Sequence, residues 1–334
     1  IVESMHERIA SRAPVLGEVP ERRTRGITGF VYGSVRATTS VVGGGIGLGL
    51  AGVERLLGPK DPAWASPRRQ AIVAAVNGVC GDHLARTGNP LALPMTLRPA
   101  PDIEARPHVI VLVHGLCMAA HQWATPGLDH GRNLAQACDA TPVYASYNTG
   151  LHIADNGEAL ALRLQELMTA WPVPIETLTI VGHSMGGLVA RAAAEHARRA
   201  HQPWLATLRH LVFLGSPHQG APLEQGGQWL HRALGVTPYL APFMRLAGVR
   251  SAGITDLRDG NLQPVAPHAR FSRRAARTTV PLPEGVACYA VAGVLGRGLV
   301  GDGLVNVDSA LGRHRVASRD LGLPADRQYV AQGV

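Results

Sequence analysis

Residues 177–199 read TLTIVGHSMGGLVARAAAEHARR, and the fold turns on how this stretch is parsed. TLTIV is a short, β-branched apolar run of the kind a buried strand requires. Leu188 to Arg199 is an alanine-rich helix. Between them, GHSMGG leaves no room for a loop, so the chain must pass from strand to helix in one sharp turn centred on Ser184. Gly182 and Gly186 flank that serine at minus two and plus two, where neighbouring backbone nearly touches, and Gly187 lets the new helix approach the sheet. A serine so placed has its hydroxyl exposed and its backbone strained, which suits a nucleophile. In a chain with 39 glycines the bare pattern could arise by accident, leaving a structural turn serine. The strand-to-helix setting gives the pattern its weight.

Working outward, the chain from Asp102 alternates apolar runs with helical stretches. His108 to Val113 (HVIVLV), Pro142 to Tyr147, Leu178 to Val181, Leu211 to Leu214, Val286 to Val294 and Arg327 to Ala331 read as strands. Leu160, Leu164, Leu167, Met168 and Trp171 make one face of an intervening helix that Pro172 ends. Continuous aliphatic strands joined by crossover helices predict a mostly parallel, doubly wound α/β sheet. From Ser216 to Gly285 the pattern breaks into prolines and glycines with no clear strand. Residues 216–285 are therefore expected to form a cap or lid insertion, or an ordinary packing subdomain. Its apolar stretch Gln228 to Ala247 would suit a greasy substrate.

Residues 1–104 differ, and are expected to form an N-terminal helical leader preceding a 105–334 catalytic domain. Val41 to Val53 (VVGGGIGLGLAGV) is apolar but too short to span a bilayer, which takes about 20 residues. Ser66 and Pro67 read as an N-cap and first-turn proline, with Ile72, Val73, Val76, Val79, Cys80 and Leu84 along one face. The leader packs either on the catalytic domain or, peripherally, on a membrane. A cytoplasmic or membrane-peripheral location is favoured.

The formal charge of +8 is almost wholly arginine, Lys60 being the only lysine, and no nucleic-acid-binding motif accompanies it. No nucleic-acid partner is expected. Cys80, Cys117, Cys138 and Cys288 form no metal pattern, and Cys117, Cys138 and Cys288, in or near apolar stretches, read as buried thiols. The histidines lack a paired-ligand spacing, so neither metal nor cofactor is expected.

A serine hydroxyl attacks only when a base takes its proton and donors hold the developing oxyanion. The turn places the Met185 N–H at a helix N-terminus beside Ser184. A second donor should come from the loop after HVIVLV, where Gly115 permits a close turn; Leu116 N–H is the choice and Cys117 the adjacent alternative. His114 reads as structural. Asp302, between two glycines in GDGLV after the fifth strand, is the candidate acid, with Asp308 its rival. Asp256 and Asp259 read as local caps or pairs.

Taken together, HGL at 114–116, GHSMGG at 182–187, GSPHQGAPL at 215–223 and GDGLVNVDSA at 301–310 resemble bacterial lipases and the PGAP1-like (GPI inositol-deacylase-like) branch of α/β-hydrolases. YNTGLHI at 147–153, with the leader, is similar to a bacterial subgroup of lipase-family hydrolases. The resemblance covers residue 105 onward and implies an α/β-hydrolase fold with carboxylic ester hydrolase activity on an acyl ester or lipid. It implies the triad order serine, acid, histidine, with Asp302 at the acid position and His218 shaping the site. It places the catalytic histidine after the final strand, beyond Val334, with His314 as the alternative within the chain. An acyltransferase or thioesterase on the same scaffold, and a non-catalytic lipid- or membrane-binding relative, are the competing expectations.

Overall fold

A computed structural model describes residues 67–125, 127–221, 251–263, 280–294 and 305–332. Helix α1 (Pro67–Arg86) opens this part, kinked at Cys80. It leads to β1 (Thr96–Pro99) and β2 (His108–Val113). After a 3-10 turn at Ala120–Trp123, β3 (Ala124–Thr125) and β4 (Leu128–Asp129) make a small antiparallel ribbon. Then follow α2 (His130–Cys138), β5 (Thr141–Ser146), α3 (Ile153–Ala170), β6 (Thr177–His183), α4 (Met185–Arg199) and β7 (Leu208–Leu214). The chain continues through α5 (Ala252–Asp259), β8 (Ala287–Val294), α6 (Val307–Ala310) and β9 (Gln328–Gln332).

Seven strands form one sheet in the order β1-β5-β2-β6-β7-β8-β9. All neighbours pair in parallel except β1, which runs antiparallel to β5 along the edge. The centre of the sheet is where the sequence is most aliphatic. Val109 to Val113 on β2 are all at most 2% exposed, so both sheet faces are covered there. Each such side chain contributes about 1.5–3 kcal/mol on burial. Helices α3 and α4 approach so closely that a Cβ on Gly157 would lie 2.5 Å from that of Ala192. Leu160, Ala161 and Leu164 fill the same seam.

From β2 the chain goes to β5 on one side and then crosses to β6 on the other. The carboxyl ends of β2 and β6 therefore border a topological switch point, where such sheets open a crevice for ligands.

The six strands expected from the sequence are present with small shifts at their ends. The extent of the helical leader needs correction. Its last part, Thr96–Pro99, is a strand of the main sheet, with Thr96 opposite Ser146 and Pro99 opposite Val143. TLRP is too short and too polar for periodicity to reveal an edge strand. Helix α1 belongs with the same unit: Val73, Val76, Val79, Cys80 and Leu84 are buried, and a Cβ on Gly78 would strike the Sγ of Cys117 at 2.1 Å. Cys138 also departs from expectation. It ends α2 exposed, whereas Cys80, Cys117 and Cys288 are buried free thiols. Val41–Val53, Ser66, Gln228–Ala247 and most of the 216–285 insertion lie outside the described residues. Among the described residues no helix is long and apolar enough to cross a membrane.

Candidate active site

Ser184 is the single residue between β6 and α4, with φ 50° and ψ −120°. A non-glycine residue in this left-handed region is strained, and such strain persists only where surrounding structure enforces it. Here the Ser184 N–H extends the sheet by donating to Leu214 O at 2.8 Å, while Gly187 N–H donates back to Ser184 O at 3.2 Å. The flanking glycines answer to lack of space. A Cβ on Gly182 would sit 2.5 Å from the Gly187 backbone, and one on Gly186 would sit 2.2 Å from Val113 O. The turn is thus wedged between its own helix and the end of β2.

The loop leaving β2 lies directly against the serine. A Cβ on Gly115 would be 3.1 Å from Ser184 Cβ, a tight contact that the bare glycine relieves where the two loops meet. Leu116 and Met185 are buried at 3% and 0% exposure, and neither backbone N–H makes a hydrogen bond among the described residues. The Cys117 N–H is already spent on Thr149 Oγ1 at 3.1 Å, which leaves Leu116 as the candidate donor. Cys117 itself has φ 59°, a second left-handed residue in the same short segment.

A set of supports that sequence spacing did not reveal holds this loop. Tyr147 OH donates to His114 O at 2.7 Å, and the two rings stack 4.5 Å apart. Nδ1 of His114 lies 3.0 Å from Gly115 O, a geometry that requires it to donate. His114 is completely buried, and burial pushes its pKa down to about 4. It is a neutral structural side chain, as the sequence suggested. Tyr147 and Thr149 lie on the YNTGLHI loop, whose contacts span more than 30 residues and leave no local periodicity to read.

This burial sets a pH dependence. An unfolded histidine titrates near 6.5, so between about pH 6.5 and 4 the unfolded chain binds a proton that the folded one refuses. His218 is displaced in the same direction, well below 6.5, by burial and by Arg191. Stability is therefore expected to fall on acidification. His114 alone should remove about 2 kcal/mol between pH 7.5 and pH 5, seen as a lower urea midpoint. A midpoint that rises on acidification would contradict the assignment.

Behind the turn, Arg191 of α4 is 2% exposed and reaches His218 Nδ1 at 3.1 Å and the carbonyl of Val280. A guanidinium only donates, so His218 Nδ1 accepts and its proton resides on Nε2. A base for Ser184 would need the opposite tautomer, with Nδ1–H held by a carboxylate and Nε2 free to take a proton. His218 therefore buttresses the turn rather than titrating in it. The same reasoning disposes of His314, whose Nδ1 accepts the Val316 N–H at 2.9 Å within a local turn.

Among the acids, Asp302 lies outside the described residues. The preceding strand, β8, runs parallel to β6 and β7 and ends at Val294, on the same edge of the sheet as Ser184. Asp308 is exposed in the first turn of α6, where Asn306 rather than Asp308 is the cap, accepting the Asp308 N–H at 2.9 Å. Asp259 pairs locally with Arg258 at 2.9 Å. Asp256 does not pair locally. At 4% exposure it meets His152 Nδ1 at 2.8 Å and the Ile153 N–H at 3.1 Å, pinning α5 to the start of α3.

A strained serine between a central parallel strand and its helix, with a bare glycine loop from the neighbouring strand against it, is the nucleophile-turn arrangement of an α/β-hydrolase sheet. A family model agrees: it matches residues 104–241 and is described as the PGAP1-like alpha/beta domain. Over residues 104–241 the chain is therefore similar to that domain. This domain takes in β2 through β7, and so both the Gly115 loop and Ser184. Among solved structures the chain is similar to a Bacillus licheniformis lipase, BlEst2, in its mature form. The identity is 18%, over 72% of this chain and 91% of that one, with a TM-score of 0.45. It is also similar to a Pyrobaculum calidifontis esterase (14%, 84% and 88%, TM-score 0.44). The RedJ thioesterase of the Streptomyces coelicolor prodiginine pathway is a third (17%, 72% and 88%, TM-score 0.38). No curated protein matched the chain.

Proposed function

We propose that the chain is a carboxylic ester hydrolase that works through an acyl-serine on Ser184. The observation that carries this reading is the contact between the strained Ser184 turn and the Gly115 loop, with the Leu116 and Met185 N–H groups uncommitted beside it. Ser184 Oγ attacks the ester carbonyl and forms the new C–O bond, while a histidine takes the hydroxyl proton. The two N–H groups hold the oxyanion that results. As the tetrahedral intermediate collapses, the alkoxy C–O bond breaks and the histidine returns the proton to the departing alcohol. Water, deprotonated by the same histidine, then attacks the acyl-serine and releases a carboxylic acid and free Ser184.

Asp302 orients the histidine in this scheme. The histidine itself is the one that the family resemblance places after the last strand of the sheet. β9 lies beside β8 in parallel register and ends on the same edge, so the connections that leave the two strands start next to each other. The test is hydrolysis of p-nitrophenyl esters by the full-length protein under single-turnover and steady-state conditions. A burst of p-nitrophenol equal to the enzyme concentration, or steady turnover lost in a Ser184 variant, supports the acyl-serine. Absence of any turnover above buffer would instead favour the non-catalytic, lipid-binding alternative.

A further inference from the structure

The described residues line an open-sided cavity of about 710 Å³ that borders Ala119–His121, just after the Gly115 loop, and does not include Ser184. Its size is that of a small-molecule site. One wall is the face of the β1/β5 edge, where Thr96 and Ser146 are register partners and Arg98 and Tyr144 another pair. The opposite wall includes Ala119, Ala120, His121 and Ala124, the direct continuation of the Gly115 loop. Val73 of α1 and the proline-rich segment 90–101 complete it.

Two features define what would fit. The lining is chiefly alanine, proline, valine and leucine, and apart from the Thr96 and Ser146 hydroxyls the polar side chains that reach it are engaged with other groups. His121 Nδ1 meets Gln70 Oε1 at 3.0 Å, Tyr144 OH donates to Asp129 at 2.9 Å, and Arg132 bridges Asp129 and Asp102. Arg98 is engaged as well. A polar ligand would give up its water with few groups left to receive it, whereas a hydrocarbon gives up nothing. The guanidinium and carboxylate charges are paired, so the wall does not call for an ion.

The second feature is position. Leu112 is in register with Tyr144 on one side and Val181 on the other, which sets Ser146 in the same row as His183, two strands away. At about 4.8 Å per strand the separation is roughly 10 Å. The inner wall of the cavity and the Leu116 donor belong to one short segment, and Trp123 within it packs edge-on against His183, the residue before Ser184.

We infer that this cavity takes the hydrocarbon chain of an acyl ester whose carbonyl is attacked by Ser184, making medium- and long-chain esters the substrate class. The chain runs from the crevice along Ala119 and Ala120 into the space over β1 and β5. The inference rests on the reading of Ser184 as nucleophile, and the test separates the two. In full-length Ser184→Ala protein, binding of cis-parinaric acid, a fluorescent long-chain fatty acid, is followed with laurate or acetate as competitor. Laurate should displace the probe and acetate should not. Filling the cavity by Ala120→Phe, or by Ala124→Trp at an exposed ribbon position that tolerates bulk, should weaken probe binding by about tenfold or more. With Ser184 present, the same changes should lower the ratio of p-nitrophenyl dodecanoate to acetate turnover by a similar factor. Thermal melts confirm that each variant is folded. Unchanged probe affinity in both filled variants, or an unchanged chain-length ratio, overturns the cavity assignment. Equal ester turnover with and without Ser184 overturns the nucleophile instead, and the binding measurement then still decides the cavity by itself.

Discussion

Ser184→Ala in the full-length protein is expected to lower ester turnover by about 10⁵- to 10⁶-fold, with KM changed only a few-fold. The substitution removes one oxygen and keeps the Cβ that faces Gly115, so the turn retains its neighbours. Alanine at φ 50° inherits the strain that serine already bears, and the melting temperature should hardly move. What disappears is the nucleophile. The two N–H donors remain and should sustain a residual rate about 10³- to 10⁴-fold above water, because oxyanion stabilisation survives loss of the triad. A loss smaller than tenfold would mean that the chemistry lies elsewhere. A large loss accompanied by unfolding would be uninformative about the hydroxyl, which is why the melt belongs in the same measurement.

Asp302→Asn should have the second largest effect, about 10⁴-fold in kcat, with geometry preserved. An amide can turn its NH2 to Nδ1 and so favour the tautomer protonated on Nε2, and the histidine then presents a proton where a lone pair is needed. Asp308→Asn should change the rate only a few-fold, since Asp308 is exposed in the first turn of α6. If Asp308→Asn were the damaging change and Asp302→Asn the mild one, the acid would have to be reassigned.

How far the sequence reached depended on whether the information was local. The strand TLTIV, the turn and the alanine-rich helix are contiguous, and the turn leaves its neighbours no volume, so glycine and serine spacing alone carried the geometry. HVIVLV was equally legible because a strand buried on both faces has no polar positions. Edge strand β1 was not, since an antiparallel strand of four residues with a half-exposed pattern carries no periodic signal. The tertiary supports escaped for a different reason. Tyr147 to His114, Thr149 to Cys117 and His152 to Asp256 join residues 32 to 104 positions apart. Hydrogen bonds of that reach depend on strand order, and strand order is not written in residue spacing. Arg191 likewise carries no signal in the sequence until α4 is seen to turn that side inward against His218. The histidine question illustrates the converse. Sequence offered His314 by position, and its committed Nδ1 removes it by chemistry.

The most direct test of the account is covalent labelling of the full-length protein by a fluorophosphonate, followed by proteolysis and mass spectrometry. A fluorophosphonate phosphonylates only a serine whose proton is being withdrawn and whose oxyanion is stabilised. The account predicts one adduct, on the peptide containing Ser184, formed in parallel with loss of ester turnover and slowed by a long-chain ester. An active protein that labels on a different residue, or that keeps its turnover with Ser184 fully modified, would contradict it.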